Sequence, residues 1–234
     1  MVIRAVPRWL LVMCVPLLIL SCTIGMAFNS MWIYTLGFAK YDSAAEIGIS
    51  DAELTRVAQE LRSYFNNGYQ RYPDINVTYN DGLTGPVFTQ NEMAHLKDVK
   101  GLLWLDYAAA LISAVYIMMY TGIRLHKLRS RAGWELARDV WHGGLLTCVI
   151  LVFVGFFAIT RFDWLFDRFH KVFFLQGNFL FSPYDHIILM FPFDFWSDVA
   201  LLMGLLALVC GALVAGMGLL TLRQRCHFEK SLEH

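Results

Sequence analysis

FDWLFDRFHKVFFLQGNFLFSPYDHIILMFPFDFW, residues 162–196, places thirteen aromatic rings in 35 positions. His170, four aspartates (Asp163, Asp167, Asp185 and Asp194) and two prolines, Pro183 and Pro192, interrupt them. The stretch is too polar and too broken to cross a bilayer, and too aromatic for a solvated loop. Tryptophan and tyrosine favour the membrane–water boundary, because one end of each ring is apolar and the other wet. The segment therefore reads as lying on a membrane surface and walling a greasy, partly polar pocket. An aromatic belt that only anchors the chain is the competing reading.

Outward from this stretch the composition supports a membrane setting. Of 234 residues 57% are hydrophobic and 16% charged, too little polar surface for a soluble domain. The net charge of zero argues against nucleic acid as a partner. The five cysteines lie in or beside apolar runs with no CxxC pair, which excludes a disulfide framework or a zinc ribbon. Four apolar runs are predicted to span: one within residues 1–29, then 101–123, 141–160 and 199–222. Ile19-Leu20-Ser21-Cys22 resembles a lipobox, but the first run continues well past Cys22. The fold class expected is an all-α membrane protein of four transmembrane helices with a small extracytoplasmic α/β cap, residues 30–100. Residues 124–140 read as a basic loop, 161–198 as the interfacial segment and 223–234 as a tail whose Leu232-Glu233-His234 resembles a tag scar. Ten of the nineteen Lys and Arg fall in the three short segments, namely the N-terminus, the middle loop and the tail. By the positive-inside rule these are cytoplasmic, and the cap and aromatic segment share the outer face.

Within the cap, Ser50-x-x-Glu53 is a capping box followed by Leu54, Val57, Leu61, Tyr64 and Phe65 at helical spacing, with Asn67-Gly68 as the stop. Residues 75–87 read as a hairpin turning at Asn80-Asp81-Gly82, with Pro86 confining one arm to an edge. Thr89-x-x-Glu92 is a second capping box, and its helix should run unbroken into the 101–123 span. His95 then stands about 9 Å above the apolar run, at headgroup depth. Glu92, His95, Asp98 and Asp106 share one face of that helix. Asp106, five residues into the apolar run, should face protein or a wet cavity.

Two histidines thus reach one surface, each with carboxylates at helical spacing: Glu92/His95/Asp98 and Asp163/Asp167/His170. Imidazole titrates near neutrality and both takes and gives protons, so acid–base catalysis is one reading. Metal binding by the carboxylate-x-x-His pairs is a second, although HExxH is absent. A structural role is the third. His126, His142 and His227 read as structural, and His186 stays open. No GxSxG elbow or outer-face cysteine offers a covalent nucleophile.

FTQNEMAHLKDVK, residues 88–100, resembles the first signature of the lipoprotein intramolecular transacylases. FDRFHKVFF, residues 166–174, resembles the second, continued by Asn178, Ser182-Pro183, Asp185 and the cluster from Pro192 to Trp196. Phe179 and Ser182 depart from the pattern, standing where tryptophan and aspartate are expected. The resemblance implies a four-helix membrane protein of the bacterial cytoplasmic membrane that acts on diacylated lipoproteins at the outer interface. It moves the sn-2 acyl chain of the diacylglyceryl-cysteine onto the cysteine's own α-amino group. His95 and His170 are then the expected acid and base, with no acyl-enzyme, no cofactor and no metal. Glu92, Asp98, Asp163 and Asp167 are expected to orient the imidazoles. Phe88, Asp106, Phe166, Phe169, Phe173, Phe174, Asn178, Asp185 and Trp196 are expected to line the pocket, with Asn178 facing the oxyanion. Membrane lipid is the other expected partner. A metal-dependent membrane hydrolase, or a non-catalytic module binding lipid or protein, are the alternatives.

The predicted topology is checked by thiol labelling of intact cells. Cysteines introduced within residues 51–66 should react with an impermeant reagent from outside, and ones beside Arg129 should not. The reverse pattern would invert the topology.

Overall fold

The computed structural model describes residues 2–68, 72–128, 132–174, 177 and 179–231. Arg129, Arg131, Asn178 and Leu232-Glu233-His234 lie outside the described residues. The elements in order are α1 (Val2–Asn29), α2 (Met31–Lys40), α3 (Ser43–Ile47), α4 (Asp51–Asn66), β1 (Asn76–Thr78), β2 (Thr84–Pro86), α5 (Gln90–Leu128), α6 (Ala132–Thr160), α7 (Phe162–Phe173), α8 (His186–Met190) and α9 (Phe193–Ser231). Within four of them, Pro7–Asn29, Gln90–Lys127, Gly133–Thr160 and Phe193–Gln224 are long and apolar enough to cross a membrane. The chain divides into two compact units.

The first unit takes Met1–Ile24, Asp106–Phe156 and Leu202–His234. Lipid solvates apolar side chains as well as protein does, so helices associate where small residues admit close packing. α6 meets α9 in this way. A Cβ on Gly144 would lie 2.5 Å from the Ala215 backbone nitrogen, and one on Gly218 would lie 2.7 Å from the Ala137 carbonyl oxygen. On another face, Gly143 sits against Val15 of α1. Polar pairing supplements this packing. Asp139 of α6 is wholly buried and is ion-paired with Arg8 of α1, while the Tyr120 hydroxyl of α5 donates to it at 3.4 Å. Arg124 extends the chain by donating to the Tyr120 hydroxyl at 3.1 and 3.0 Å and to Glu135 at 2.7 Å. A buried carboxylate is tolerable only with such partners.

The second unit takes Gly25–Leu105 and Phe157–Leu201. Both capping boxes form. The Ser50 hydroxyl accepts from Glu53 N–H at 3.2 Å, and Thr89 N–H donates to Glu92 Oε2 at 2.7 Å. α4 buries its periodic face, Leu54, Val57, Ala58, Leu61, Tyr64 and Phe65. The hairpin pairs Asn76 with Pro86 and Thr78 with Thr84, and Gly82 supplies the turn's positive φ of 86°, which glycine adopts without steric penalty.

Three features depart from the sequence reading. Residues 124–140, read as a loop, are helical outside 129–131, since a basic last turn suits the helix dipole and Asp139 faces Arg8 rather than water. The aromatic stretch is not one interfacial piece. It gives α7 and the short α8, while Phe193–Trp196 already belong to α9. Finally, α2 and α3 follow α1 after a single extended residue, Ser30 (φ −92°, ψ 101°). α2 packs Tyr34 and Phe38 on Phe191, with centroids at 6.0 and 5.6 Å, and its Gly37 leaves room for the ring of Phe195.

Substitution tests the close packing of the first unit. Gly144→Ala drives a methyl group into the backbone of α9, which has no rotamer to yield, and should cost about 1–3 kcal/mol. Gly155→Ala, with nothing within 4 Å of its Cβ, should be neutral or slightly stabilising. Equal thermal unfolding midpoints for the two variants in detergent would contradict this packing.

Candidate functional site

The second turn of α5 and the last turn of α7 bring His95 and His170 together. Their ring centroids are 6.0 Å apart and their planes 19° from parallel. The sequence separation is 75 residues, so two helices had to be docked to make this contact. His95 is buried at 7% exposure. Phenyl rings hold the pair. Phe174 lies 4.7 Å from His95 and 5.3 Å from His170. Phe181 meets His95 edge-on at 5.3 Å. Phe166, Phe179 and Phe169 lie 4.2, 5.4 and 5.5 Å from His170.

The hydrogen bonding of His170 sets its chemistry. Its Nδ1 lies 2.8 Å from the carbonyl oxygen of Phe166, one turn back on α7. A carbonyl only accepts, so Nδ1 carries the proton and Nε2 presents a lone pair. Burial lowers the pKa of His170 below its ordinary 6.5, opposed by the Phe166 carbonyl and the charge of Asp167. The outcome at neutral pH is an uncharged imidazole with a basic Nε2 in an apolar setting.

Among the carboxylates expected to orient the imidazoles, Asp167, Asp163 and Glu92 meet other partners. Asp167 pairs with Lys171 at 2.8 Å, and Asp163 lies 3.9 Å from Arg161 on the surface. The Phe166 carbonyl oxygen, four residues back, accepts the His170 Nδ1–H hydrogen bond that either was expected to accept. Asp167 acts on His170 only through its charge. Asp98 acts on Tyr64, whose phenol is pushed up to about 12 by burial first and then by Tyr72 and Asp98. Glu92 is fully buried and accepts backbone N–H groups of Thr89 and Ile187, each at 2.7 Å.

Of the expected pocket residues, Phe166, Phe169 and Phe174 touch the imidazoles directly. Phe173 is half exposed and packs on Phe169 at 4.9 Å. Phe88 is buried just ahead of α5. Asp185 closes a turn by accepting Ser182 N–H at 2.8 Å. Trp196 packs instead on Phe28, Phe191 and Phe195, because Pro192 ends the preceding segment and starts α9 there. Asp106 belongs to the first unit, where it hydrogen-bonds Ser21. Phe179 and Phe181 were not expected to be site residues. The signal was their i, i+2 spacing, which in extended chain sends both rings to one side. The ambiguous His186 uses Nδ1 to bond the Val87 carbonyl at 2.6 Å. Among the described residues, no three His, Cys, Asp or Glu side chains converge as metal ligands.

The chain is similar to known proteins. Residues 9–196 match the family described as lipoprotein intramolecular transacylase Lit. A curated relative, an uncharacterized protein of Aquifex aeolicus, is 29% identical over 137 residues, and the match spans 57% of the length of each chain. Among solved structures, the membrane integral lipoprotein intramolecular transacylase Lit from Bacillus cereus superposes with a TM-score of 0.73 at 19% identity, covering 99% of this chain and 98% of that one. Two variants of that protein, with one histidine replaced by arginine or by alanine, give TM-scores of 0.75 at 18% identity over 96% of this chain. Identities this low establish a shared fold.

The lowered pKa of His170 has a measurable sign. In the window just below 6.5, unfolded chain binds the proton that the folded chain refuses. Stability should therefore fall as pH drops through 6.5, levelling off once the folded pKa is passed. His170→Gln should flatten that decline in thermal unfolding midpoints. An undiminished decline in the variant would assign the titration to another group.

Proposed function

The chain belongs to the lipoprotein intramolecular transacylase family, and on that premise we propose that it carries an acyl chain from ester to amine within one lipoprotein. It is a multi-pass membrane protein. The substrate is a bacterial lipoprotein whose N-terminal cysteine bears a diacylglyceryl group, presented at the outer face of the cytoplasmic membrane, with both termini of the enzyme inside. The sn-2 acyl chain moves to the α-amino nitrogen of the same cysteine, and the product carries one O-acyl and one N-acyl chain. The observation that carries this reading is the near-parallel imidazole pair, of which one member is held neutral with Nε2 free to accept a proton.

The chemistry fits these two groups. Attack of nitrogen on the ester carbonyl closes an eight-membered ring through N, Cα, Cβ, S, two glyceryl carbons, the ester oxygen and the carbonyl carbon. Such rings close poorly in solution, so holding the substrate folded is the main task, worth up to roughly 7–11 kcal/mol in the best intramolecular cases. An α-amino group titrates near 8, so a base must remove its proton. His170 Nε2 is that base. As the tetrahedral intermediate collapses, the C–O bond to glycerol breaks and His95 supplies a proton to the departing oxygen. One N–H is exchanged for one O–H, with no change of mass and no acyl group on the protein. The phenyl wall excludes water, which keeps free fatty acid from forming.

Mass spectrometry of a diacylated lipoprotein peptide incubated with the purified protein tests the proposal. The peptide should keep its mass, lose its free amine and fragment with an N-acyl cysteine. A peptide already N-acylated should be untouched, because an amide nitrogen does not attack an ester. His95→Ala and His170→Ala should each lower turnover by roughly 10²-fold or more, the range for losing an acid–base group, while His126→Ala stays near the parent. Activity should survive a chelator, against the metal-hydrolase alternative. Release of fatty acid, or a protein whose mass grows by one acyl group, would overturn the proposal.

A further inference from the structure

We infer that Glu92 is a positioning residue for the histidine pair, acting through the backbone of the segment that follows α7 rather than on an imidazole. This rests on the assignment of His95 and His170 as the reacting pair. Its carboxylate is fully buried, and its two oxygens serve different segments. Oε2 accepts the Thr89 N–H at 2.7 Å and closes the capping box at the start of α5. Oε1 accepts the Ile187 N–H at 2.7 Å, 95 residues away in sequence. A capping box normally needs only an exposed Glu or Gln, and sinking a charge this deep is expensive unless both oxygens are satisfied. The second bond is what the burial achieves.

That bond fixes a particular piece of chain. Phe179 rests on His170 and Phe181 on His95. Directly after Phe181, residues Ser182 to Asp185 close on themselves, with Asp185 N–H donating to the Ser182 carbonyl at 3.0 Å and Ser182 N–H to the Asp185 carboxylate at 2.8 Å. The next two residues are both tied to the approach to α5: His186 to the Val87 carbonyl, and Ile187 to Glu92. The two phenyl groups therefore reach the imidazoles on a short, stiff arm whose root is Glu92, one turn ahead of His95 on the same helix. Glutamine is isosteric but has one acceptor oxygen, so its NH₂ would face one of the two N–H groups donor to donor.

The test separates positioning from folding. Glu92→Gln should still give folded, monodisperse protein, yet lower kcat roughly tenfold to 10²-fold with KM held within about twofold, the pattern of misplaced reacting groups. An activity-free measurement runs beside it. His95→Cys and His170→Cys are combined, and their bridging by a short bis-methanethiosulfonate is timed with and without Glu92→Gln; slower bridging is expected when the carboxylate is gone. His186→Ala, which cuts the neighbouring tie and leaves Glu92 in place, should shift both readouts in the same direction by less, and it decides the matter should Glu92→Gln fail to fold. Unchanged bridging and unchanged kcat per folded molecule in the folded variants would overturn the inference. A failure of the transacylase assignment shows separately, as absent product from the unsubstituted protein.

Discussion

The contact between His95 and His170 is the constraint to which the second unit is built. Each ring comes from an element that cannot place it alone. α5 sets the height of His95 through its cap at Thr89 and Glu92, and α7 sets the face of His170 through helical periodicity. What remains free is the distance between the helices, and aromatic packing sets it. Phe174 lies against both imidazoles. Phe162 and Phe166 lie against Phe193 at the head of α9, at 5.1 and 5.4 Å. Ring–ring contacts add only about 0.5–1.5 kcal/mol each beyond burial, so the geometry rests on many of them together with a few backbone hydrogen bonds.

The first unit solves a different problem. In a bilayer, apolar surface gains little by leaving lipid, so cohesion comes from close backbone approach and from polar groups that have nowhere else to go. Gly143, Gly144, Gly211 and Gly218 supply the first. The path from Arg8 through Asp139, Tyr120 and Arg124 to Glu135 supplies the second, linking α1, α5 and α6. Asp139 cannot leave the path without stranding a buried charge.

The sequence disclosed what depends on local rules. Apolar length gave the spanning helices, and the two S/T-x-x-E boxes gave the starts of α4 and α5. The turn at Asn80-Asp81-Gly82 gave the hairpin, and the two signatures gave the histidines. It hid what depends on which atom is nearest. Spacing put Asp163 and Asp167 beside His170 on a helical wheel, but a wheel carries no backbone oxygens, and the Phe166 carbonyl accepts the Nδ1–H hydrogen bond. Glu92 was placed on the His95 face of the helix, but nothing in the sequence says that residue 187 returns to it. α2 escaped notice because its apolar character runs straight on from α1, with only Asn29 and Ser30 to mark the break. Trp196 looked like an interfacial ring because the start of α9 was read several residues too late.

A wall made of phenyl rings has one more property. It offers contact area but no directional bond, so its grip on a hydrocarbon chain grows by about 0.8 kcal/mol for each CH₂ it covers and depends little on where along the chain it closes. Such a surface has no bond that fixes the register of the chain along it. A hydrocarbon chain laid along Phe166, Phe169, Phe174, Phe179 and Phe181 would be held by the length these rings cover. On the proposed reading, selection would then fall to the polar end of the molecule, where an amine and an ester must come within reach of each other.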